Sequence, residues 1–126
     1  MKNHGFPVVV FTILLFNVAA CEVGPSSPQI PSLTSPEGMA NKTAAQKNNE
    51  GVDHLVQGHY EIAAGFFREA IAIKNNFAEA HFNLGVALDG MGEHQAAAEA
   101  FRKANEFGSN NPKISENELL KKHLQM

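Results

Sequence analysis

Cysteine and histidine are the residue types here from which a nucleophile, a general base or a transition-metal ligand would be expected. The 126 residues contain one cysteine, Cys21, and no H-E-x-x-H, G-x-S-x-G, P-loop or G-x-G-x-x-G pattern. A single cysteine excludes an intramolecular disulfide framework and a zinc site built from several thiolates. The sequence therefore predicts no catalytic residue, metal site or cofactor among its histidines, which are His4, His54, His59, His81, His94 and His123.

Cys21 has a different kind of context, because it follows an amino-terminal segment typical of secretion signals. Lys2 supplies positive charge, residues 8–16 are apolar apart from one threonine, and two alanines precede the cysteine. The apolar stretch is about half of the ~20 residues that a membrane-spanning helix needs. Residues 1–20 are therefore predicted to be a signal peptide rather than a permanent membrane anchor.

Residues 18–21, with the sequence VAAC, resemble the lipobox of bacterial lipoproteins. The resemblance implies cleavage before Cys21, attachment of diacylglycerol to its sulfur, and acylation of the new amino terminus by a fatty acid such as palmitate. Glu22 stands where an aspartate would signal retention in the inner membrane, so the outer membrane is favoured. Two alternatives stay open, namely ordinary signal-peptidase cleavage after Ala20 and an uncleaved anchor.

Charge and composition limit what the rest of the chain can bind. The formal charge is −3, from 10 basic and 13 acidic residues, and a nucleic-acid partner is not expected without a basic stripe. Residues 22–43 contain prolines at positions 25, 28, 31 and 36, which preclude a regular helix. Residues 21–43 are therefore predicted to be the lipidated cysteine followed by a solvated, Pro/Ser-rich tether.

Residues 44–77 and 78–111 form an internal repeat with a period of 34 residues. The two copies align without a gap and share eleven identities, including Gly51 with Gly85. A repeat of this length predicts a solenoid of helical hairpins. Glycine inside a helix costs about 1 kcal/mol relative to alanine, so Gly85 is expected to let the paired helix approach closely at Ala97.

The second copy resembles the tetratricopeptide repeat, a helix–turn–helix unit of 34 residues. Its N-L-G at residues 83–85 stands where the family has the same three residues, and Gly92, like Gly58 in the first copy, lies at the turn. The resemblance implies an all-α, tetratricopeptide-like helical solenoid of two repeats, residues 44–77 and 78–111. His81 occupies a position that the family usually gives to an aromatic residue, so a packing role is expected for it.

Residues 112–126 are predicted to form a carboxy-terminal capping helix. Ser115 and Glu118 have the spacing of a capping box, in which each side chain binds the other's free backbone N–H. The apolar face that follows would cover the open end of the solenoid.

In the tetratricopeptide family, the first helices of successive repeats line a concave groove that receives a partner peptide or helix. Carried over by position, the predicted partner-binding residues are Asn48, Asn49, Val52, Leu55, Val56, Phe82, Asn83, Val86 and Asp89. The equivalent pairs Asn49/Asn83 and Val52/Val86 are expected to form a ladder along this surface. An alternative is that the apolar positions are covered by the protein's own tether or by a second copy.

The sequence thus predicts a non-catalytic interaction adaptor, tethered by lipid on the periplasmic side of a membrane. The resemblance implies a protein or peptide partner in the envelope, and a role in envelope, pilus or secretion assembly. A structural homo-oligomer built through the repeat faces is one alternative, because solenoids usually need at least three repeats to bury a continuous core. An enzyme is the other alternative.

Overall fold

The computed structural model describes residues 29–126, and the predicted signal peptide and Cys21 lie outside this range. Residues 29–126 contain six α-helices and no strand, and consecutive helices pack as helix–turn–helix units. The helices are α1 (Lys42–Val56), α2 (Tyr60–Ile73), α3 (Ala78–Gly90), α4 (His94–Gly108), α5 (Pro112–Ser115) and α6 (Glu118–Leu124). The predicted all-α, tetratricopeptide-like fold is confirmed.

The turn inside each hairpin is built the same way in both repeats. Gly58 and Gly92 follow the first helix of their repeat with φ of 78° and 81°, a conformation that side chains other than hydrogen disfavour. The Gly58 N–H donates to the Leu55 carbonyl at 2.9 Å, and the Gly92 N–H donates to the Asp89 carbonyl at 2.9 Å. The repeated glycine therefore satisfies the orphan carbonyls at the same point of both hairpins.

Close approach between the paired helices depends on the second pair of repeated glycines. A Cβ placed on Gly85 would lie 2.7 Å from Cε1 of Phe101, and one on Gly51 would lie 2.5 Å from Cε1 of Phe67. The predicted close contact of Gly85 is confirmed, but the group that fills the space is the Phe101 ring and not Ala97. The phenylalanine reaches back toward the glycine because helical side chains lean over the preceding turn.

One core runs through both hairpins and into the carboxy-terminal helices. The largest side chains in it are fully buried, and the rings of Phe82 and Phe101 pack edge to face with centroids 5.6 Å apart. The contact between the hairpins is equally close. A Cβ placed on Gly90 would lie 2.6 Å from Cε1 of Tyr60. The two repeats are therefore held together by contacts of α2 with α3, in addition to the contacts within each hairpin.

The carboxy-terminal residues cover the end of the solenoid in two pieces. Ile114 in α5 and Leu120 in α6 are both buried in the main core. The predicted capping box of Ser115 and Glu118 is wrong, because the chain bends after α5 and Asn117 becomes the N-cap of α6. Its side-chain oxygen accepts from the backbone N–H of residues 119 and 120 at 3.0 and 3.3 Å.

No helix within the described part of the chain is long and apolar enough to cross a membrane.

Candidate functional site

Two asparagines meet at the centre of the surface formed by the first helices, α1 and α3. Asn48 and Asn83 are both fully buried, and the Asn83 Nδ2 donates to Asn48 Oδ1 at 2.9 Å. Buried amides are stable only when their remaining donors and acceptors are also satisfied. The groups that satisfy them come from an unexpected part of the chain.

Leu33, in the predicted tether, presents its main chain to this asparagine pair. Its N–H donates to Asn83 Oδ1 at 2.8 Å, and its carbonyl accepts from Asn83 Nδ2 at 2.7 Å. The same carbonyl accepts from Asn48 Nδ2 at 3.0 Å. Both polar groups of one backbone residue are thus held by side chains from two different repeats.

A second set of hydrogen bonds fixes Ser35 against α1. Its N–H donates to Asn49 Oδ1 at 2.9 Å, and its hydroxyl donates to the Ala45 carbonyl at 3.0 Å. Asn48 Nδ2 also lies 3.2 Å from the Ser35 Oγ. Side chains and a carbonyl from about one turn of α1, at residues 45–49, therefore hold Ser35 in place.

Residues 30–35, here named the groove segment, also contribute apolar contacts. The side chains of Ile30 and Leu33 are partly buried against the main core, which includes Val52 and Val86. The prediction of a solvated tether through residue 43 is wrong for this stretch. The structure instead shows the alternative in which the protein's own tether covers the groove.

The ladder predicted along the groove is present in a modified form. Val52 and Val86 are both buried at equivalent positions, as expected. Asn83, however, pairs with Asn48 and not with its repeat equivalent Asn49, which is exposed and holds Ser35. The two repeats are therefore not used identically, because Asn83 binds Leu33 whereas its repeat equivalent Asn49 binds Ser35.

Four of the predicted partner-binding residues make no hydrogen bond to the groove segment and lie in other surroundings. Leu55 and Phe82 are fully buried core residues, so neither is free to act as an anchor for a partner. Val56 is 54% exposed. Asp89 turns toward the carboxy-terminal cap, where its Oδ1 lies 2.9 Å from Nε2 of His123. The helical period explains these differences, since α1 and α3 each bury more than one face.

His81 has the packing role that its position predicts. Its ring is buried beside Phe107, with centroids 5.4 Å apart, and its Nε2 lies 2.8 Å from the Asn75 carbonyl. Burial lowers the pKa of His81, and the hydrogen bond to Asn75 opposes that effect. A neutral ring that donates through Nε2 fits this site.

The groove segment is the part of the site that sequence reasoning placed wrongly. Its signal in the sequence is weak but present, since Ile30 and Leu33 are isolated apolar residues in a polar, proline-rich stretch. No periodicity marks them, because the segment has no regular secondary structure. The asparagines that receive it carry a stronger signal, since two of them align at the repeat offset.

Comparison with known families finds a tetratricopeptide repeat at residues 78–111, the second of the two predicted copies. A search of curated proteins finds no match. The matched repeat and the hairpin before it make this a tetratricopeptide-like solenoid. Repeats of this class are in general non-catalytic modules that mediate protein–protein interactions.

Proposed function

We propose that the protein is a membrane-tethered periplasmic adaptor whose groove binds an extended segment of a partner protein. The observation that carries the proposal is the capture of the Leu33 main chain by Asn48 and Asn83. Hydrogen bonds to N–H and C=O groups do not depend on side-chain identity, so the same asparagines suit the main chain of another protein. The groove segment then acts as an internal ligand that the partner displaces.

The contacts of the groove segment also indicate the partner's chemistry. Ile30 and Leu33 are three residues apart and pack on the apolar core, while Ser35 supplies a small hydroxyl to α1. A partner segment with two branched apolar residues at this spacing, followed by serine or threonine, would reproduce these contacts. Among residues 29–126, no lysine or arginine is hydrogen-bonded to Asn48 or Asn83, so a terminal carboxylate is not the expected feature.

Peptide binding to the full chain tests this proposal. The probe is a fluorescent peptide with the sequence of residues 29–37, and the variant is Ile30→Ser with Leu33→Ser, which weakens the internal ligand. The variant is expected to bind the peptide at least about tenfold more tightly than the wild type, because competition within the chain is removed. Fluorescence anisotropy measures both affinities.

Asn49→Ala in the same double variant should weaken peptide binding, since Asn49 is exposed and holds Ser35. Asn110→Ala is the matched control, because Asn110 is an exposed asparagine outside the groove. Equal affinity of wild type and double variant, or equal effects of the two asparagine changes, would contradict the groove assignment.

Sedimentation measurements on the same samples separate the adaptor from the homo-oligomer, because a homo-oligomer requires the mass to rise with concentration.

The membrane part of the proposal rests on the sequence VAAC at residues 18–21 behind an apolar segment. A diacylglycerol on Cys21 and an acyl group on its amino terminus would supply more than one chain, as stable anchoring requires. Glu22 favours delivery to the outer membrane. An adaptor held there would act in envelope, pilus or secretion assembly, with an envelope protein as its partner.

Cys21→Ser tests the anchor. The variant is expected to lose incorporation of a clickable fatty acid and to leave the membrane fraction, because no thioether can form. The wild type should be labelled and sediment with membranes. Equal labelling of wild type and variant would exclude lipid attachment at Cys21.

A further inference from the structure

Three side chains with metal-binding atoms converge where the α3–α4 turn meets the carboxy-terminal cap. Asp89 lies near the end of α3, His94 is the first residue of α4, and His123 lies in the last turn of α6. One possible ligand atom from each of the three residues lies within 4.8 Å of the other two. The Asp89 Oδ1 lies 2.8 Å from His94 Nδ1 and 2.9 Å from His123 Nε2.

The hydrogen bond on the other side of the His123 ring fixes its protonation pattern. Its Nδ1 lies 3.0 Å from the Leu119 carbonyl, which can only accept, so Nδ1 carries the proton. In a neutral ring, Nε2 then has a lone pair, and it faces a carboxylate oxygen that also only accepts. A proton or a cation must lie between them.

This arrangement is the one that metal-binding histidines use. Such a histidine commonly donates one ring N–H to a carbonyl or carboxylate, which orients the opposite nitrogen toward the metal. His123 is 1% exposed, so its ring is fixed by the side chains packed around it. A divalent metal would use the neutral ring as it stands, with Nε2 as the ligand atom.

His94, the other candidate histidine ligand, has room to move. The His94 side chain is 57% exposed, so its ring can move without disturbing the core. Around a tetrahedral Zn²⁺ with bonds of about 2.0–2.1 Å, ligand atoms lie about 3.3 Å apart. The observed 2.8 and 2.9 Å separations therefore need to widen by only about half an ångström.

We propose that Asp89, His94 and His123 form a divalent-metal site that fastens the carboxy-terminal cap to the second repeat. Two imidazoles and one carboxylate form a donor set that suits Zn²⁺ and leaves a fourth position for water. The site was missed from the sequence because its ligands are not at a recognised spacing. Asp89 and His94 are joined by a turn, but His123 reaches them only once α6 has packed.

Calorimetric titration of the full chain with Zn²⁺, after treatment with a chelator, tests the site. The wild type should bind one Zn²⁺, and the temperature of unfolding should rise with Zn²⁺ because the ligands come together only in the folded state. His94→Ala should weaken Zn²⁺ binding at least about tenfold and remove that rise. Asp89→Asn should also weaken binding.

His59→Ala is the matched control, because His59 is exposed and precedes α2 much as His94 begins α4. It should leave both the affinity and the stabilisation by Zn²⁺ unchanged. The proposal is overturned if the wild type binds no Zn²⁺, which would leave an imidazolium–carboxylate pair at this position. It is also overturned if wild type, His94→Ala and His59→Ala bind Zn²⁺ equally.

Discussion

Gly85→Leu is expected to lower the free energy of unfolding by about 3 kcal/mol. The new Cβ would stand 2.7–2.9 Å from three atoms of the Phe101 ring, and that ring is fully buried. Neither the ring nor α4 can retreat without opening the core of the second repeat. For a domain of this size the temperature of unfolding should fall by roughly 12–24 °C, which circular dichroism at increasing temperature will measure.

Gly65→Leu is the matched control for this change. Gly65 lies inside α2, but a Cβ placed on it meets no atom within 4 Å. Leucine is a better helix former than glycine by about 0.8 kcal/mol, so the control should be neutral or slightly stabilising. If both variants melt at the same temperature, the packing assigned to Gly85 is incorrect.

Asn83→Asp is expected to detach the groove segment at neutral pH. The replaced amide nitrogen donates to the Leu33 carbonyl at 2.7 Å and to Asn48 Oδ1 at 2.9 Å. A carboxylate of the same shape would instead place a charged acceptor against two acceptors in a buried site. The cost is roughly 2–4 kcal/mol, and release of the segment is the least costly response. Loss of hydrogen-exchange protection at the Leu33 amide reports the release.

Asn49→Asp is the matched control, since it occupies the equivalent position of the first repeat. Asn49 is exposed and accepts from the Ser35 N–H through Oδ1, a bond that a carboxylate also makes. Little loss of stability is therefore expected. Equal loss of Leu33 protection in both variants would contradict the difference between the two repeats.

Acid should partly rescue Asn83→Asp. Burial favours the protonated form of the introduced carboxyl, so its pKa in the folded state lies above the unfolded value of about 3.9. Its full contribution to stability is present below that value and is lost as pH rises through the folded pKa. The difference in unfolding free energy between variant and wild type should therefore shrink as pH falls toward 4. A difference that does not depend on pH would exclude a buried charge as the cause.

The repeat and its turns could be predicted from the sequence because they depend on local chemistry. Gly58 and Gly92 mark turns that need positive φ, and the 34-residue offset places them in equivalent hairpins. Gly51 and Gly85 indicate close helix contacts for the same reason. The identity of the contacting group was not predictable in this way, because it depends on how far the ring of a phenylalanine leans along the partner helix.

The groove and the cap could be predicted only in part, because both depend on contacts between distant residues. Asn48 and Asn83 are 35 residues apart, one more than the repeat, so alignment pairs Asn83 with the wrong asparagine. Leu33 binds Asn83 across 50 residues without any periodic pattern of its own. In the cap, a bend after α5 moves the N-cap from Ser115 to Asn117, and the local pattern fits either position.

If Cys21 carries the proposed lipid, the groove segment also limits the distance between the membrane and the solenoid. An extended chain spans at most about 3.6 Å per residue, so a lipid on Cys21 would lie within about 32 Å of Ile30. With the segment released, the folded body would begin at Lys42 and the limit would grow to about 75 Å. A partner that takes the groove would therefore more than double the radius over which the tethered solenoid can search.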